Sequence, residues 1–296
     1  IVDLALQARG TGFDPLLPRT RTSLRAQIDR AEFGGRDFGG IELDAELDSQ
    51  RLSGRISDRD EALRLLLSVS GTLTEREQRI GLSGSVFGFD LAALGVSPEP
   101  IGGSFALDAS ASAAGKGAYA ARIALDSIEI RNKHRTDRIR PTSVSLHTDS
   151  AATRAEAASG DLSLTFSTPQ AADSLIAALT RSARALAGKI GAQSITMVQM
   201  KHAVPDFALR VSAGPDNILN SLLKSRKIAF DALNAEGANC DSLPVSIRLR
   251  TEGLAYGNVV LDTVTADIRQ NGKRLEYALG LANAPGNLDN IARAGL

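Results

Sequence analysis

Ile41-Glu42-Leu43-Asp44-Ala45-Glu46-Leu47-Asp48 places an apolar residue at every odd position and a carboxylate at every even one. Side chains along a strand point alternately to opposite faces, so this octapeptide is a strand with one greasy row and one charged row. The pattern continues downstream. Leu52, Gly54 and Ile56 alternate with Ser53 and Arg55. After the polar break Asp58 to Glu61 come Leu63, Leu65, Leu67 and Val69, and after Gly71 to Arg79 come Ile80, Leu82, Gly84 and Val86. Links this short join only antiparallel neighbours, so the stretch from Ile41 to Phe87 is an up-and-down meander.

Working outward, residues 1 to 9 read as a strand. Gly12-Phe13-Asp14 and Gly88-Phe89-Asp90 each open a turn with an apolar plug, 76 residues apart and with about four strands between them, a hint of a degenerate repeat. Phe105, Leu107, Ala109, Ala111 and Ala113 form the first arm of a hairpin. Gly115-Lys116-Gly117 turns it into Tyr119, Ala121, Ile123 and Leu125. Ile128 to Ile130, Val144 to Leu146 and Leu162 to Phe166 extend the ladder.

At Thr168 the period changes. Thr168 suits an N-cap, Pro169 the first helical turn, and Leu175, Leu179, Leu186 and Ile190 recur at helical spacing with Ala183. This predicts an amphipathic helix over 169–190 whose apolar stripe plugs one end of a groove, with a shorter helix over 194–202. Strands return at Phe207, Leu209 and Val211. A helix is expected over 215–224 with Ile218, Leu219, Leu222 and Leu223 as its buried side. Strands resume from Val245. The expected division is therefore a β ladder over 1–167, a helical insertion over 168–205, and a continuation of the ladder over 206–296.

Chemistry is sparse. The chain has 34 basic and 34 acidic residues, interspersed, which argues against a nucleic-acid surface. Aromatic residues make up 4% with no Trp, so stacking platforms are largely missing. The single cysteine, Cys240, excludes a disulfide within the chain and reads as a small apolar side chain. Ser221-Leu222-Leu223-Lys224 matches the serine motif of penicillin-binding enzymes without either companion motif, and reads as a helix face. His134, His147 and His202 share no ligand spacing, and Glu42, Asp44, Glu46 and Asp48 read as a solvated strand face, so neither metal nor cofactor is expected. No catalysis is expected either. The chain opens on a strand and has no leader or membrane span, which reads as a fragment of a longer protein.

A meander this long must cover its apolar face, and a sheet can do so by curling that face inward. An open trough lined by Leu43, Leu47, Leu65, Leu67, Leu82, Leu107, Ile123 and Leu125 would suit fatty chains, at about 0.8 kcal/mol per buried methylene.

The alternating rows and the Phe-Asp turns, together with three phrases, resemble the periplasmic part of the TamB family in the AsmA-like superfamily. The phrases are Asp206-Phe207-Ala208-Leu209-Arg210-Val211-Ser212-Ala213-Gly214, then Asp216-Asn217-Ile218-Leu219, and Leu281-Ala282-Asn283-Ala284-Pro285-Gly286-Asn287-Leu288. The resemblance spans essentially the whole chain and carries no catalytic residues with it. It implies a long curved β-taco with a hydrophobic groove, and a periplasmic location with the parent protein anchored in the inner membrane. It also implies phospholipid passage toward the outer membrane and partnership with an outer-membrane barrel of the TamA type in a translocation and assembly module. Two other readings stand beside it: an assembly factor whose strand edges template nascent outer-membrane proteins, and a structural β-stalk.

Overall fold

The computed structural model describes residues 2–283 apart from 13, 34–35, 116, 134, 178–179, 181–204, 225–226, 241–244, 258 and 272–273. The chain is mainly β, in an antiparallel sheet that is not closed, with short helices. Its contacts divide it into two units, residues 1–145 and 146–296. The break expected after residue 167 falls inside the second.

The first unit runs through β1 (Val2–Thr11), β2 (Arg21–Phe33), β3 (Arg36–Phe38), β4 (Ile41–Asp48), β5 (Arg51–Arg59), β6 (Leu63–Leu73), β7 (Glu77–Asp90), β8 (Gly102–Ala114), β9 (Ala118–Arg131) and β10 (Thr136–Ile139). β3 and β4 share the same side of β2, so they are one strand interrupted at Gly39 and Gly40. Every other long strand pairs antiparallel with the next in sequence, as the short polar links require. β4 alternates half-buried and exposed along its whole length, odd positions inward, as the octapeptide dictates.

The turn after β4 is tight. Ser49 and Gln50 both hold positive φ, at 51° and 71°, in the two central positions where a strand-compatible hairpin needs it. Neither is glycine. Gln50 compensates by donating from Nε2 to the Leu16 carbonyl (2.5 Å) and accepting from the Leu73 amide (2.8 Å).

Asp14 and Asp90, the aspartates of the two Phe-Asp pairs, lie at opposite ends of the first sheet. β2, the interrupted β3–β4 strand, β5, β6 and β7 separate them, and an odd number of antiparallel strands reverses direction. A four-strand repeat would have returned the second turn to the first one's end. Both aspartates nonetheless do the same local work. The Asp14 carboxylate accepts from the Leu16 amide (2.9 Å), and that of Asp90 from the Ala92 amide (2.8 Å).

β11 (Thr142–Thr148) crosses from one unit to the other. The second unit contains β12 (Thr153–Ser159), β13 (Leu162–Thr168), β14 (Phe207–Ala213), β15 (Ile228–Ala229), β16 (Ala232–Asn239), β17 (Ser246–Tyr256), β18 (Val259–Asn271) and β19 (Arg274–Ala282). Residues 172–177 are helical, with Leu175 buried, close to the expected start. The Ala172 amide donates to the Thr148 hydroxyl (3.0 Å), which ties this helical start to the end of β11. Leu179, Leu186, Ile190 and the helix expected over 194–202 lie outside the described residues.

The later helix spans Ile218–Lys224, and of its expected buried side Ile218, Leu219 and Leu223 are half-buried while Leu222 is not. Leu222 is 54% exposed, while Asn220 is fully buried. Asn220 Nδ2 donates to the Phe230 carbonyl (2.8 Å) and Oδ1 accepts from the Phe230 amide (3.2 Å). Asn217 Oδ1 accepts from the Asn220 amide (2.9 Å), and Asn217 Nδ2 reaches the Asp161 carboxylate (2.7 Å). A polar ladder of two asparagines, beside the half-buried Ile218, Leu219 and Leu223, fixes this helix.

Candidate functional site

Cross-strand register assembles the apolar residues of the first unit into continuous rows. Ala26 faces Leu43, Leu43 faces Ile56, Ile56 faces Leu67, Leu67 faces Gly84, Gly84 faces Leu107, and Leu107 faces Leu125. Directly opposed residues share a face, so one row crosses from β2 to β9 without a polar side chain. A parallel row carries Leu24, Ala45, Gly54, Val69, Leu82, Ala109 and Ile123. Leu47 pairs with Leu52, and Leu65 with Val86, on the same face. The eight lining residues expected from sequence therefore stand together on one side of the sheet.

Burial is deepest at the middle of this face: Leu67 is 8% and Val86 6% exposed, while Ile123 is 48% exposed. Gly84 makes a notch in the main row. Its φ is +152°, and a Cβ there would come within 2.1 Å of the Leu66 carbonyl oxygen, so no side chain fits. At the β5 end the row that contains Leu65 finishes on Asp58, buried and opposite Leu65. Burial raises its pKa above the ordinary carboxylate value, against the backbone hydrogen bond from the Asp60 amide (2.9 Å), which lowers it.

The second unit repeats the design. Leu164, Val211, Ala235, Leu249, Ala266 and Leu279 stand in one row across β13, β14, β16, β17, β18 and β19. Phe166, Leu209, Gly237, Ile247, Ile268 and Tyr277 form its neighbour. The strand patterning at Leu162 to Phe166 and at Phe207, Leu209 and Val211 supplies part of these rows, but the expected lining does not include them, nor the β2 contribution of Leu24 and Ala26. Leu24-x-Ala26-x-Ile28 is an alternating signal that was there to be read. In β12 and β16 the inward positions include Ala155, Ala157, Ala235 and Gly237, too small to register as apolar rows.

The opposite face is charged and self-paired. Arg21 Nε meets the Asp48 carboxylate at 2.9 Å and Arg25 Nε that of Asp44 at 2.6 Å. In the second unit Arg210 meets Glu236 (3.3 Å) and Arg248 meets Asp267 (3.7 Å). The Glu42 to Asp48 row is thus a solvated face braced by arginines, and no cluster of metal-ligand side chains occurs among the described residues. His147 is exposed and Cys240 is half-buried. A hollow of about 740 Å³ lies on this charged face, among Gln7, Arg9, Arg25, Asp44, Glu46 and Arg55. A second, of about 720 Å³, mixes Arg210, Glu236 and Arg248 with Val211, Leu249 and Leu279.

Fold and face together define a class: in each unit, an antiparallel β surface with one apolar side and one charge-paired side. No family model, curated protein or solved structure matches the chain.

Proposed function

We propose that the apolar face of the sheet carries acyl chains, and that the protein conducts phospholipid through the periplasm between the inner and outer membranes, as the resemblance to the TamB family implies. One observation carries the reading: the unbroken row from Ala26 to Leu125. Six interstrand steps of about 4.8 Å make it roughly 29 Å long. A membrane leaflet holds its acyl chains within about half of a hydrocarbon core that is ~30 Å thick. A lipid tail laid across the strands would thus remain on apolar side chains throughout. Holding it takes burial alone and no polar recognition, in keeping with a conduit rather than an enzyme. In this reading the charged face stays in water and an outer-membrane barrel of the TamA type receives the cargo.

Native mass spectrometry of the protein purified from a bacterial host tests the proposal. Co-purified phospholipid is expected, and Leu43→Asp with Ile123→Asp should abolish it. Both positions are incompletely buried, so the fold should survive, which circular dichroism checks. A lipid-free wild-type protein, or a folded variant that keeps its lipid, defeats the conduit.

A second reading rests on the edges. Tyr277, Leu279 and Leu281 on β19 are 76%, 75% and 51% exposed, the profile of a strand that offers its edge to another. Templating of nascent outer-membrane strands would use that edge by β-augmentation. Binding of an unfolded barrel peptide that survives Leu43→Asp and Ile123→Asp would favour it over the conduit.

A further inference from the structure

Arg59 on β5 faces Arg64 on β6. Like charges directly opposed across a strand pair destabilise it, and elsewhere in the described strand pairs each arginine faces a carboxylate or an uncharged residue. Both side chains are exposed, and among the described residues neither has an ion-pair partner. Asp58, next to Arg59 in sequence, lies on the other face, opposite Leu65. Glu42, diagonal to Arg59 on β4, accepts from the Ser57 hydroxyl (3.4 Å).

β7 leaves regular pairing at the same point. Leu65 faces Val86 while Arg64 faces Gly88, so Phe87 is an extra residue opposite the arginine, and the pairing of β7 with β8 shifts across the same residues. Bulges of this kind re-aim side chains. Val86 is buried on the apolar face, and Phe87, next in the alternation, is 56% exposed on the charged one. Gly88 makes the floor: the Arg64 guanidinium lies over it, with Nη2 3.3 Å and Nε 3.6 Å from where a Cβ would stand. Two residues along β6, Leu66 also breaks the pattern, since it faces Ser57 and Ser85 on the charged face and is 41% exposed. Two arginines, a bulge and two apolar side chains on the charged side thus meet within a few residues of one another.

Two guanidiniums offer forked donors that match an oxyanion, together with two positive charges. A carboxylate or a sulfate ester answers only one of those charges, whereas a phosphate monoester carries about −1.5 to −2 near neutral pH and answers both. Residues two apart along a strand stand about 7 Å from each other, so an apolar group attached to that phosphate would reach Leu66 and Phe87. We infer that Arg59 and Arg64 form a binding site for a phosphate monoester borne on an apolar chain, with the phosphate between the guanidiniums and the chain against Phe87 and Leu66. The site lies on the charged face and so does not rest on the acyl conduit proposed for the other.

Isothermal titration calorimetry at low ionic strength tests the inference, with octyl phosphate and octanoate, both kept below micelle-forming concentration, and with inorganic phosphate. One site is expected for octyl phosphate, roughly tenfold or more tighter than for either of the others. Arg59→Gln and Arg64→Gln should each weaken octyl phosphate roughly tenfold or more. Arg64→Lys, which keeps the charge but loses the fork, should weaken it less than Arg64→Gln. Phe87→Ser should weaken octyl phosphate and leave inorganic phosphate unchanged. Leu43→Asp with Ile123→Asp, which alters the acyl face, should leave octyl phosphate bound as before. Without ligand, the two glutamine variants should melt no lower than the wild type, because each relieves the like-charge opposition. A lower melting temperature would assign the arginines to the fold and overturn the inference. So would a wild-type chain that does not bind octyl phosphate, or binding that survives both glutamine substitutions. Loss of binding in Leu43→Asp with Ile123→Asp overturns it too, as does equal affinity for octyl phosphate and either of the other two anions.

Discussion

The β5–β6 turn of the first unit is closed by aspartates bonded within the turn, the β12–β13 turn of the second by an aspartate bonded to a helix through asparagines, and the two arrangements load their strands differently. At the β5–β6 turn Asp58 accepts from the Asp60 amide, and Asp60 in turn accepts from the Ala62 amide (2.7 Å). That turn is stitched by local, sequence-adjacent bonds. In the second unit Asp161, Asn217 and Asn220 join the β12–β13 turn, the helix Ile218–Lys224 and Phe230, across separations of up to 56 residues. Local stitching fixes the shape of a turn, whereas the long-range ladder fixes one element against another. The second unit should therefore fail cooperatively when one member is lost, and the first should lose a turn at a time.

Asn220→Ala is the sharpest way to break that contrast. It strands the buried amide and carbonyl of Phe230, and should destabilise the second unit by about 3 kcal/mol or more while the first is unchanged. Hydrogen exchange read separately over β5–β8 and β14–β18 checks this, and equal loss of protection in both would refute the division. Next in size, Gly84→Ala forces a side chain against the Leu66 carbonyl at positive φ, and about 2 kcal/mol or more should be lost, confined to the first unit. A variant with unchanged protection in β6 and β7 would show that the notch is not needed.

Acid titration separates the units by sign. The Asp161 carboxyl is held below the ordinary carboxylate value: burial works to raise it, but the Asn217 side chain and the Asp216 and Gly214 amides outweigh burial. A depressed pKa contributes stability at neutral pH that disappears as pH falls through the folded value. Asp58 is raised, so its contribution is greatest once protonated in acid and fades as pH rises from the ordinary value near 3.9 through the raised one. Asp161→Asn should flatten the acid loss in the second unit, and Asp58→Asn should make the first less favoured by acid. Urea midpoints between pH 3 and pH 7 give both, and identical slopes in the two variants would contradict the assignment. The smallest effect belongs to Arg25→Ala. Its pair with Asp44 leaves the side chains 73% and 57% exposed, so no measurable change in midpoint is expected.

Much of this was legible in the sequence wherever the inward side chains are large. Leu43, Leu65, Leu67, Leu82, Leu107 and Leu125 announce both the strand and its face, and the structure sets them on one side. β12 and β16 were silent because alanine and glycine fill inward positions such as Ala155, Ala157, Ala235 and Gly237, and small side chains give no amphipathic contrast. The helix Ile218–Lys224 lies within a few residues of its expected place, and periodicity finds Ile218, Leu219 and Leu223, which are half-buried, but it misses the two asparagines that bond Asp161 and the backbone of Phe230. The bond to Asp161 depends on a partner 56 residues away, which no local window contains. The charge pairs of Arg21 and Arg25 depend on register in the same way.

The opposite placement of Asp14 and Asp90 has a bearing on how such a chain can grow. Inserting one strand anywhere in a meander turns every later loop to the other end of the molecule and exchanges which neighbours meet. Duplicating a hairpin restores the direction of travel and leaves both rims as they were. Lengthening such a meander by whole hairpins therefore leaves its loops at the rims where they stood, whereas adding a single strand does not.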